Sequence, residues 1–161
     1  MYTTEVAGVT LNSSFVESNS ARLGGGAFVV GNSAVAVYGS AFQNNTAARS
    51  GGAVFSNAAA SFATRDCVFA LNQAQSGGAV FLDGVQPWRF ENTNFTKNQA
   101  LASGGALRFQ TGSVVHISHC TFDSNTVRGR HDARWTLWVH CDGGCACVPG
   151  GTTWWCHQLW R

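Results

Sequence analysis

The sequence predicts an all-β protein that folds as a right-handed, single-stranded parallel β-helix. The first observation is an asparagine that recurs at steps of 26 or 27 residues, in about five copies. The recurring residues are Asn19, Asn45, Asn72, Asn98 and Asn125. The second observation is a hydrophobic residue three positions before each asparagine. This residue is Val16 in the first copy and Phe42, Phe69, Phe95 or Phe122 in the others. Self-similarity at such a period indicates a repeat architecture, so the repeat determines the predicted fold.

The third observation is a pair of glycines followed by alanine, five or six residues after the asparagine. The pairs are Gly25-Gly26, Gly51-Gly52, Gly77-Gly78 and Gly104-Gly105. Glycine permits a corner with positive φ that β-branched residues resist. A helical repeat of this length would need long stretches of 3.6-residue periodicity, which the glycines and asparagines interrupt.

Each copy is predicted to contain three short strands joined by three turns. Positions ten and eight before the asparagine share one side of the first strand, and positions five and three before it share one side of the second. The odd step between these two runs predicts a corner. A third run follows the glycine pair, as in residues 54–56 and 80–82. Coils of parallel strands stack at about 4.8 Å, and parallel crossovers are right-handed.

The repeated residues are predicted to be structural rather than catalytic. An asparagine at a corner can hydrogen-bond to asparagines in the coils above and below, and phenylalanines stacked on each other can fill the interior. Only small residues occur five positions before the asparagine, namely Ser14, Ser40, Cys67, Thr93 and Cys120. Cys67 and Cys120 lie two coils apart, about 9.6 Å, which exceeds the disulfide limit of about 7 Å. Both are therefore predicted to be small buried hydrophobic residues.

The alternating motifs resemble the repeats of the chlamydial polymorphic outer membrane proteins, which also occur in algal and protist surface proteins. Phe42-x-x-Asn45 followed by Gly51-Gly52-Ala53-Val54 is one such pair, and the resemblance extends over about residues 9–127. It implies a right-handed, pectin-lyase-like β-helix with an extracellular, cell-surface or outer-membrane location. In chlamydiae this region is the passenger of an autotransporter adhesin. Because the sequence shows no signal peptide and no membrane barrel, we expect it to be a fragment of a longer protein.

Composition divides the chain near residue 128. Every phenylalanine, asparagine and serine precedes residue 126, whereas residues 128–161 hold five of the six tryptophans and four of the six cysteines. We therefore expect a β-helix repeat region over residues 1–127 and a Trp/Cys-rich tail, irregular or disordered, over residues 128–161. The tail cysteines are Cys141, Cys145, Cys147 and Cys156. Their spacing matches no zinc module well. Three interpretations are open for them: zinc binding, disulfides, or a tail with no evolved role. A tail of the last kind would arise from a shifted reading frame or an unspliced intron.

Charge and hydropathy exclude several classes of partner. Charged residues make up 11% of the chain and the net charge is +2, which is too weak to indicate nucleic acid as a partner. The sequence contains no stretch of 18 apolar residues, so no transmembrane helix is expected. His116 and His119 are predicted to face opposite sides of a strand and therefore to share no metal. No cofactor and no metal site are expected.

The carboxylates argue against an enzyme. Polysaccharide lyases need clustered carboxylates for calcium and a base for proton abstraction, and glycoside hydrolases need two carboxylates about 5–9.5 Å apart. Glu17 and Asp123 share a column but lie four coils apart, and Asp66 and Glu91 are predicted to face opposite sides of a strand. We therefore expect a non-enzymatic scaffold for adhesion or structural presentation. The alternative is a carbohydrate-active, lyase- or hydrolase-like β-helix that lacks its catalytic coils.

The outward residues are the candidate contacts for glycan or protein ligands. The cations among them are Arg49, Arg65, Arg89, Lys97 and Arg108. Phe55 and Phe81 are expected to form either an exposed apolar stripe or part of the core. Solenoid ends without polar caps expose unpaired backbone, so end-to-end self-association is also expected.

Overall fold

The computed structural model describes residues 2–4, 8–30, 34–57, 59–84, 87–110, 115–128, 139–141, 145–150 and 153–158. Side chains are described for residues 8–27, 34–57, 59–84, 87–110 and 115–128. Within these ranges the chain forms 23 β-strands and no helix.

Four sheets run along the molecule, and successive strands of the repeat visit them in turn. Sheet 1 contains β1 (Tyr2–Thr4), β5 (Ala27–Val30), β9 (Val54–Asn57), β13 (Val80–Asp83), β17 (Leu107–Gln110) and β21 (Val139–Cys141). Sheet 2 contains β2 (Gly8–Asn12), β6 (Ala34–Tyr38), β10 (Ser61–Arg65), β14 (Trp88–Glu91), β18 (Val115–Ser118), β23 (Thr153–Gln158) and β22 (Cys145–Gly150). Sheet 3 contains β3 (Phe15–Glu17), β7 (Ala41–Gln43), β11 (Val68–Ala70), β15 (Asn94–Thr96) and β19 (Thr121–Asp123). Sheet 4 contains β4 (Ser20–Leu23), β8 (Thr46–Ser50), β12 (Gln73–Ser76), β16 (Gln99–Ser103) and β20 (Thr126–Val127).

The strands stack as a parallel β-solenoid of about four turns. Each strand of the repeat pairs in parallel with the equivalent strand one copy away, so that Phe69 lies between Phe42 and Phe95. Equivalent residues therefore form columns along the molecule. The all-β, parallel solenoid predicted from the repeat is confirmed, and its right-handed coiling stays a prediction.

Each coil contains four strands rather than the three that the sequence predicts. The additional strand belongs to sheet 4 and follows the repeated asparagine. In β12 its outward residues are Gln73 and Gln75, and its one inward hydrophobic residue is Ala74. This strand lacks the β-branched and aromatic residues by which strands are recognised in sequences, which explains why the prediction missed it.

The difference between 26-residue and 27-residue repeats is accommodated in sheet 4, where some strands contain one additional residue. Thr46 pairs with Gln73 and Ser50 pairs with Ser76, so β8 has one more residue than β12 between the same two paired positions. A shift of the same kind separates β12 from β16. The additional residue in each longer strand forms a β-bulge, and the asparagine column stays in phase.

In the first copy, the glycine corner lies one residue earlier than the sequence comparison of the copies predicts. Ala27 pairs with Val54, and Gly24, with a φ of 56°, takes the left-handed conformation that Gly51 takes with a φ of 65°. Three consecutive glycines, at residues 24–26, make the assignment ambiguous in the sequence. The backbone register removes this ambiguity.

The interior is filled mainly from three of the four sheets. The largest side chains that are fully buried are Phe42, Phe62, Phe69, Trp88, Phe90, Phe95 and Phe109, from sheets 1, 2 and 3. Sheet 4 contributes the small residues Ala47, Ala74 and Ala100 instead. The core is therefore filled by large, mainly aromatic side chains from sheets 1, 2 and 3 and by small side chains from sheet 4.

The backbone of the tail adds strands to two of the sheets. Strand β21 pairs in parallel with β17, whereas β23 pairs antiparallel with both β18 and β22. The side chains of Cys141, Cys145, Cys147 and Cys156 lie outside the described residues. The predictions about these cysteines, and the division of the chain near residue 128, therefore stay predictions.

Candidate functional site

The repeated asparagines form a continuous hydrogen-bonded column at the corner between sheets 3 and 4. Asn45, Asn72 and Asn98 are fully buried and Asn125 is 3% exposed, whereas Asn19 is exposed. From Asn45 to Asn125, the Oδ1 of each asparagine accepts the backbone N–H and the side-chain N–H of the asparagine one coil earlier, at 2.9 to 3.1 Å. The column thus holds successive coils together.

Asn72 shows how completely these amides are used. Its Nδ2 donates to the carbonyl oxygen of Phe42 and to Oδ1 of Asn98, both at 3.0 Å. Its Oδ1 accepts two hydrogen bonds from Asn45. Both amide hydrogens and both acceptor sites of the side chain are therefore occupied within the fold, and none remains for an external ligand.

The phenylalanines three positions before the asparagines stack along the inside of sheet 3. The ring centroids of Phe42 and Phe69 are 5.0 Å apart, those of Phe69 and Phe95 are 5.1 Å apart, and those of Phe95 and Phe122 are 4.8 Å apart. The interplanar angle is 7° in each pair. Aromatic stacking of this kind stabilises the pair beyond the burial of its area, so this column is structural too.

The small residues five positions before the asparagines form a third column, whose side chains donate to the backbone. Ser14, Ser40, Cys67, Thr93 and Cys120 each donate to the carbonyl oxygen two residues earlier, at 2.8 to 3.3 Å. Burial raises the pKa of the Cys120 thiol to about 11 and also raises the pKa of the Cys67 thiol. Both cysteines are free, and their raised pKa values make them poor nucleophiles at neutral pH.

The two glycines at each corner have different roles. The first glycine of each corner, which is Gly24, Gly51, Gly77 or Gly104, has a positive φ, as Gly77 does at 64°. The second glycine lies against the backbone of the next coil. A Cβ added at Gly78 would overlap the carbonyl oxygen of Gly105 and would lie 2.7 Å from the carbonyl oxygen of Gln99. This position therefore excludes every side chain.

The predicted contact cations fall into two groups. Arg49, Arg89 and Lys97 are exposed, and none of the three makes a side-chain hydrogen bond or ion pair with another described residue. Arg65 is exposed but pairs with Glu91 at 2.6 Å, and the hydrogen bond that Arg65 donates to this carboxylate raises the pKa of Arg65. The cations available for an external contact are therefore those of the first group.

Arg108 does not project freely into solvent as the sequence predicts. It is half-buried, its guanidinium carbon lies 5.6 Å from the centroid of the Phe81 ring, and its Nη1 donates to Ser76 and Ser103. Sequence periodicity alone places this residue on the outside of a strand. The contacts with the neighbouring serines, which precede the glycine corner, could not be deduced from it.

Of the two arrangements expected for Phe55 and Phe81, the exposed apolar stripe is wrong, because both side chains are buried. Phe55 is 9% exposed and Phe81 is 7% exposed, and their rings stack with centroids 5.3 Å apart. They lie outside the main core cluster. The stack of Phe55, Phe81 and Arg108 along sheet 1 buries these side chains even though they alternate with inward residues.

Two carboxylates and two histidines are among the residues considered for catalysis or metal binding. Asp66 is exposed and accepts a hydrogen bond from Asn92, whereas the neighbouring carboxylate Glu91 is taken by Arg65. His116 is half-buried and His119 is exposed. Among the residues described, no three His, Cys, Asp or Glu side chains come together in a way that could hold a metal ion. The described ranges also include no helix of the length and apolar character that a membrane crossing requires.

Comparison with known proteins gives one match. No curated protein and no solved structure matches this chain. The matching segment contains one Phe-x-x-Asn motif, at Phe42, and the glycine corner at Gly51. Residues 39–57 match the model of the Chlamydia polymorphic membrane protein repeat, which confirms over that segment the resemblance predicted from the alternating motifs.

Proposed function

We propose that this chain is a non-enzymatic scaffold of a cell-surface or secreted protein, and that its outward faces make adhesive or structural contacts. The match to a polymorphic membrane protein repeat and the β-solenoid both fit a surface-protein scaffold. An extracellular or outer-membrane location and a glycan or protein partner are part of the proposal. A carbohydrate-active β-helix is not favoured by any observation in the described residues.

The observation that carries the proposal is the use of the repeated polar groups. The asparagine column uses its hydrogen bonds to join successive coils, and the hydroxyl and thiol column donates its hydrogen bonds to backbone carbonyl oxygens. The groups that remain for an external partner are outward side chains, among them Arg49, Arg89 and Lys97. Such groups, spaced along a rigid solenoid, suit an extended contact surface.

The direct test is binding of the purified chain to arrays of immobilised glycans and extracellular-matrix proteins. We expect retention on at least one class of ligand. We also expect it to weaken when Arg49, Arg89 and Lys97 are each changed to Gln in one variant. Arg65→Gln is the matched control, because Glu91 already pairs with that cation. The proposal fails if the chain binds nothing on the arrays, or if the triple variant binds as well as the wild type.

The non-enzymatic part of the proposal needs its own assay. The chain is incubated with polygalacturonate and with neutral glucans, and unsaturated and reducing sugar ends are measured over time. We expect no release above that of heat-treated protein. Sustained turnover would contradict this and would favour the carbohydrate-active alternative. End-to-end self-association and the lack of a nucleic-acid partner stay predictions.

A further inference from the structure

Sheet 4 carries a shallow groove on its outward face. Its volume is about 110 Å³, and the side chains along it are those of Thr46, Ala48, Gln73, Gln75, Gln99 and Leu101. Sites that enclose drug-sized ligands measure about 300–1,000 Å³. This groove is therefore of a size for a single ring rather than for a larger molecule.

The register of sheet 4 explains why the groove lies where it does. Strand β12 is flanked by β8 and β16, and each of these neighbours has one more residue than β12 between paired positions. A β-bulge makes its strand bend and twist locally. The groove thus lies along the shorter β12 and is lined on either side by residues of the bulged β8 and β16, among them Ala48 and Leu101.

The groove contains polar groups that the fold leaves unused. In the part of the chain that the structure describes, the side-chain amides of Gln73, Gln75 and Gln99 make no hydrogen bond. Each amide offers both donors and acceptors, which matches the paired hydroxyls of a sugar ring. Ala48 and Leu101, the latter 51% exposed, offer an apolar contact to the C–H face of such a ring.

The charge around the groove is positive. Arg22 lies on β4, Arg49 on β8, and Arg128 directly follows β20. None of the five strands of sheet 4 contains Asp or Glu, whereas sheet 3 contains both Glu17 and Asp123. Arg49 adjoins Ala48 of the groove in the chain, and no described carboxylate pairs with it. A ligand that carries a carboxylate would therefore be favoured over a neutral one.

We propose that this groove binds one ring of an acidic saccharide. The hydroxyls pair with the amides of Gln73, Gln75 and Gln99, the apolar face of the ring lies on Ala48 and Leu101, and the carboxylate is directed toward Arg49. The inference rests on the proposed function, since it names one ligand class for a contact scaffold.

Two small glycosides that differ only in the carboxylate provide the test. Methyl β-D-glucuronide and methyl β-D-glucoside are titrated separately into the full chain, and the glutamine side-chain and backbone amide signals are followed by NMR. We expect shifts centred on Gln73, Gln75 and Gln99. We also expect the glucuronide to bind about fivefold more tightly, as for an exposed ion pair. Arg49→Gln should remove that difference, whereas Arg65→Gln, on sheet 2 and already paired with Glu91, should preserve it.

A second pair of variants tests the amides. Gln73→Leu should weaken the binding of both glycosides by up to about tenfold, the effect of one lost hydrogen bond. Gln43→Leu, on sheet 3, should leave both affinities unchanged. Equal affinity for the two glycosides, shifts that lie away from sheet 4, or no binding at all would each overturn the inference. Retention on the protein and glycan arrays would then still stand, so the two proposals fail separately.

Discussion

Asn45 donates its backbone N–H and its side-chain N–H to the same oxygen, Oδ1 of Asn72, at 3.0 and 3.1 Å. The same two bonds join each asparagine to the next along the column. The column therefore has a direction, because each bond between two asparagines is donated by the earlier coil and accepted by the later one. Removal of one amide therefore leaves two donors and a carbonyl oxygen of the earlier coil without these partners.

Asn72→Ala tests this column. The substitution leaves the backbone N–H of Asn45, one of its two amide hydrogens and the carbonyl oxygen of Phe42 without these partners in the interior, so we expect a loss of about 3 to 5 kcal/mol in the free energy of unfolding. Urea unfolding followed by circular dichroism measures it. Asn94→Ala is the control, because that side chain is exposed, and it should change stability by less than about 0.5 kcal/mol. Equal effects of the two variants would contradict a structural role for the column.

Gly78→Ala tests the close approach between coils. The added Cβ would meet backbone atoms of Gly105 and Gln99, which cannot rotate away. We expect the variant to unfold at a temperature lower by more than about 8 °C, as for a loss above 2 kcal/mol in a domain of this size. At Gly8, an added Cβ lies 3.5 Å from the nearest atom, the carbonyl oxygen of Ala34, so Gly8→Ala should leave the melting temperature nearly unchanged. A wild-type melting curve for Gly78→Ala would show that the coils lie farther apart than described.

Phe69→Ala tests the stacked rings. Phe69 is fully buried between Phe42 and Phe95, and truncation of a buried phenylalanine costs about 3–5 kcal/mol. Phe15→Ala is the matched control, since Phe15 is 62% exposed, and it should have little effect. The comparison is made by chemical unfolding at constant protein concentration. A small loss at Phe69 would mean that the column does not form part of the core.

Because of Cys120, we expect the free energy of unfolding to decrease at alkaline pH. Its pKa is raised from 9.0 to about 11 by burial, so the folded state keeps its proton after the unfolded chain has lost it. The contribution of this thiol to stability is therefore complete below pH 9 and decreases as the pH rises toward 11. Cys120→Ser keeps a donor for the carbonyl oxygen of Ser118 but does not ionise.

The measurement compares the urea midpoints of the wild type and Cys120→Ser at pH 8 and at pH 10.5. We expect the difference between the two proteins to shift in favour of the serine variant at the higher pH. A difference that does not depend on pH would show that the thiol ionises normally in the folded chain.

The sequence predicted those parts of the fold in which equivalent residues of successive copies stack on each other in columns. A residue type that recurs at one position of every copy, as Asn72 and Phe69 do, must contact its own kind when the copies stack. Periodicity therefore indicated both the solenoid and its inward columns. The strand of β12 was missed because only Ala74 of that strand enters the core, and a polar strand resembles a loop in sequence.

The candidate contact surface was harder to predict than the core. Strand alternation places Phe81 and Arg108 outside, but alternation does not show which outward side chains cover each other. The pairing of Arg65 with Glu91 likewise depends on which residues lie side by side in adjacent coils. The groove of sheet 4 depends on a difference of one residue between neighbouring strands, and this difference is visible in the sequence only as an uneven repeat length.

The uneven repeat length allows the outer face of sheet 4 to vary without a change in the stacking of the other sheets. Residues can be gained or lost in β8 or β16 without a change in the stacking of Asn45 on Asn72 or of Phe42 on Phe69. Mutations of this kind would alter the contour of the outer surface in steps of one residue at little risk to folding. The solenoid thus separates the part of each repeat that must stay constant from a part that is free to diversify.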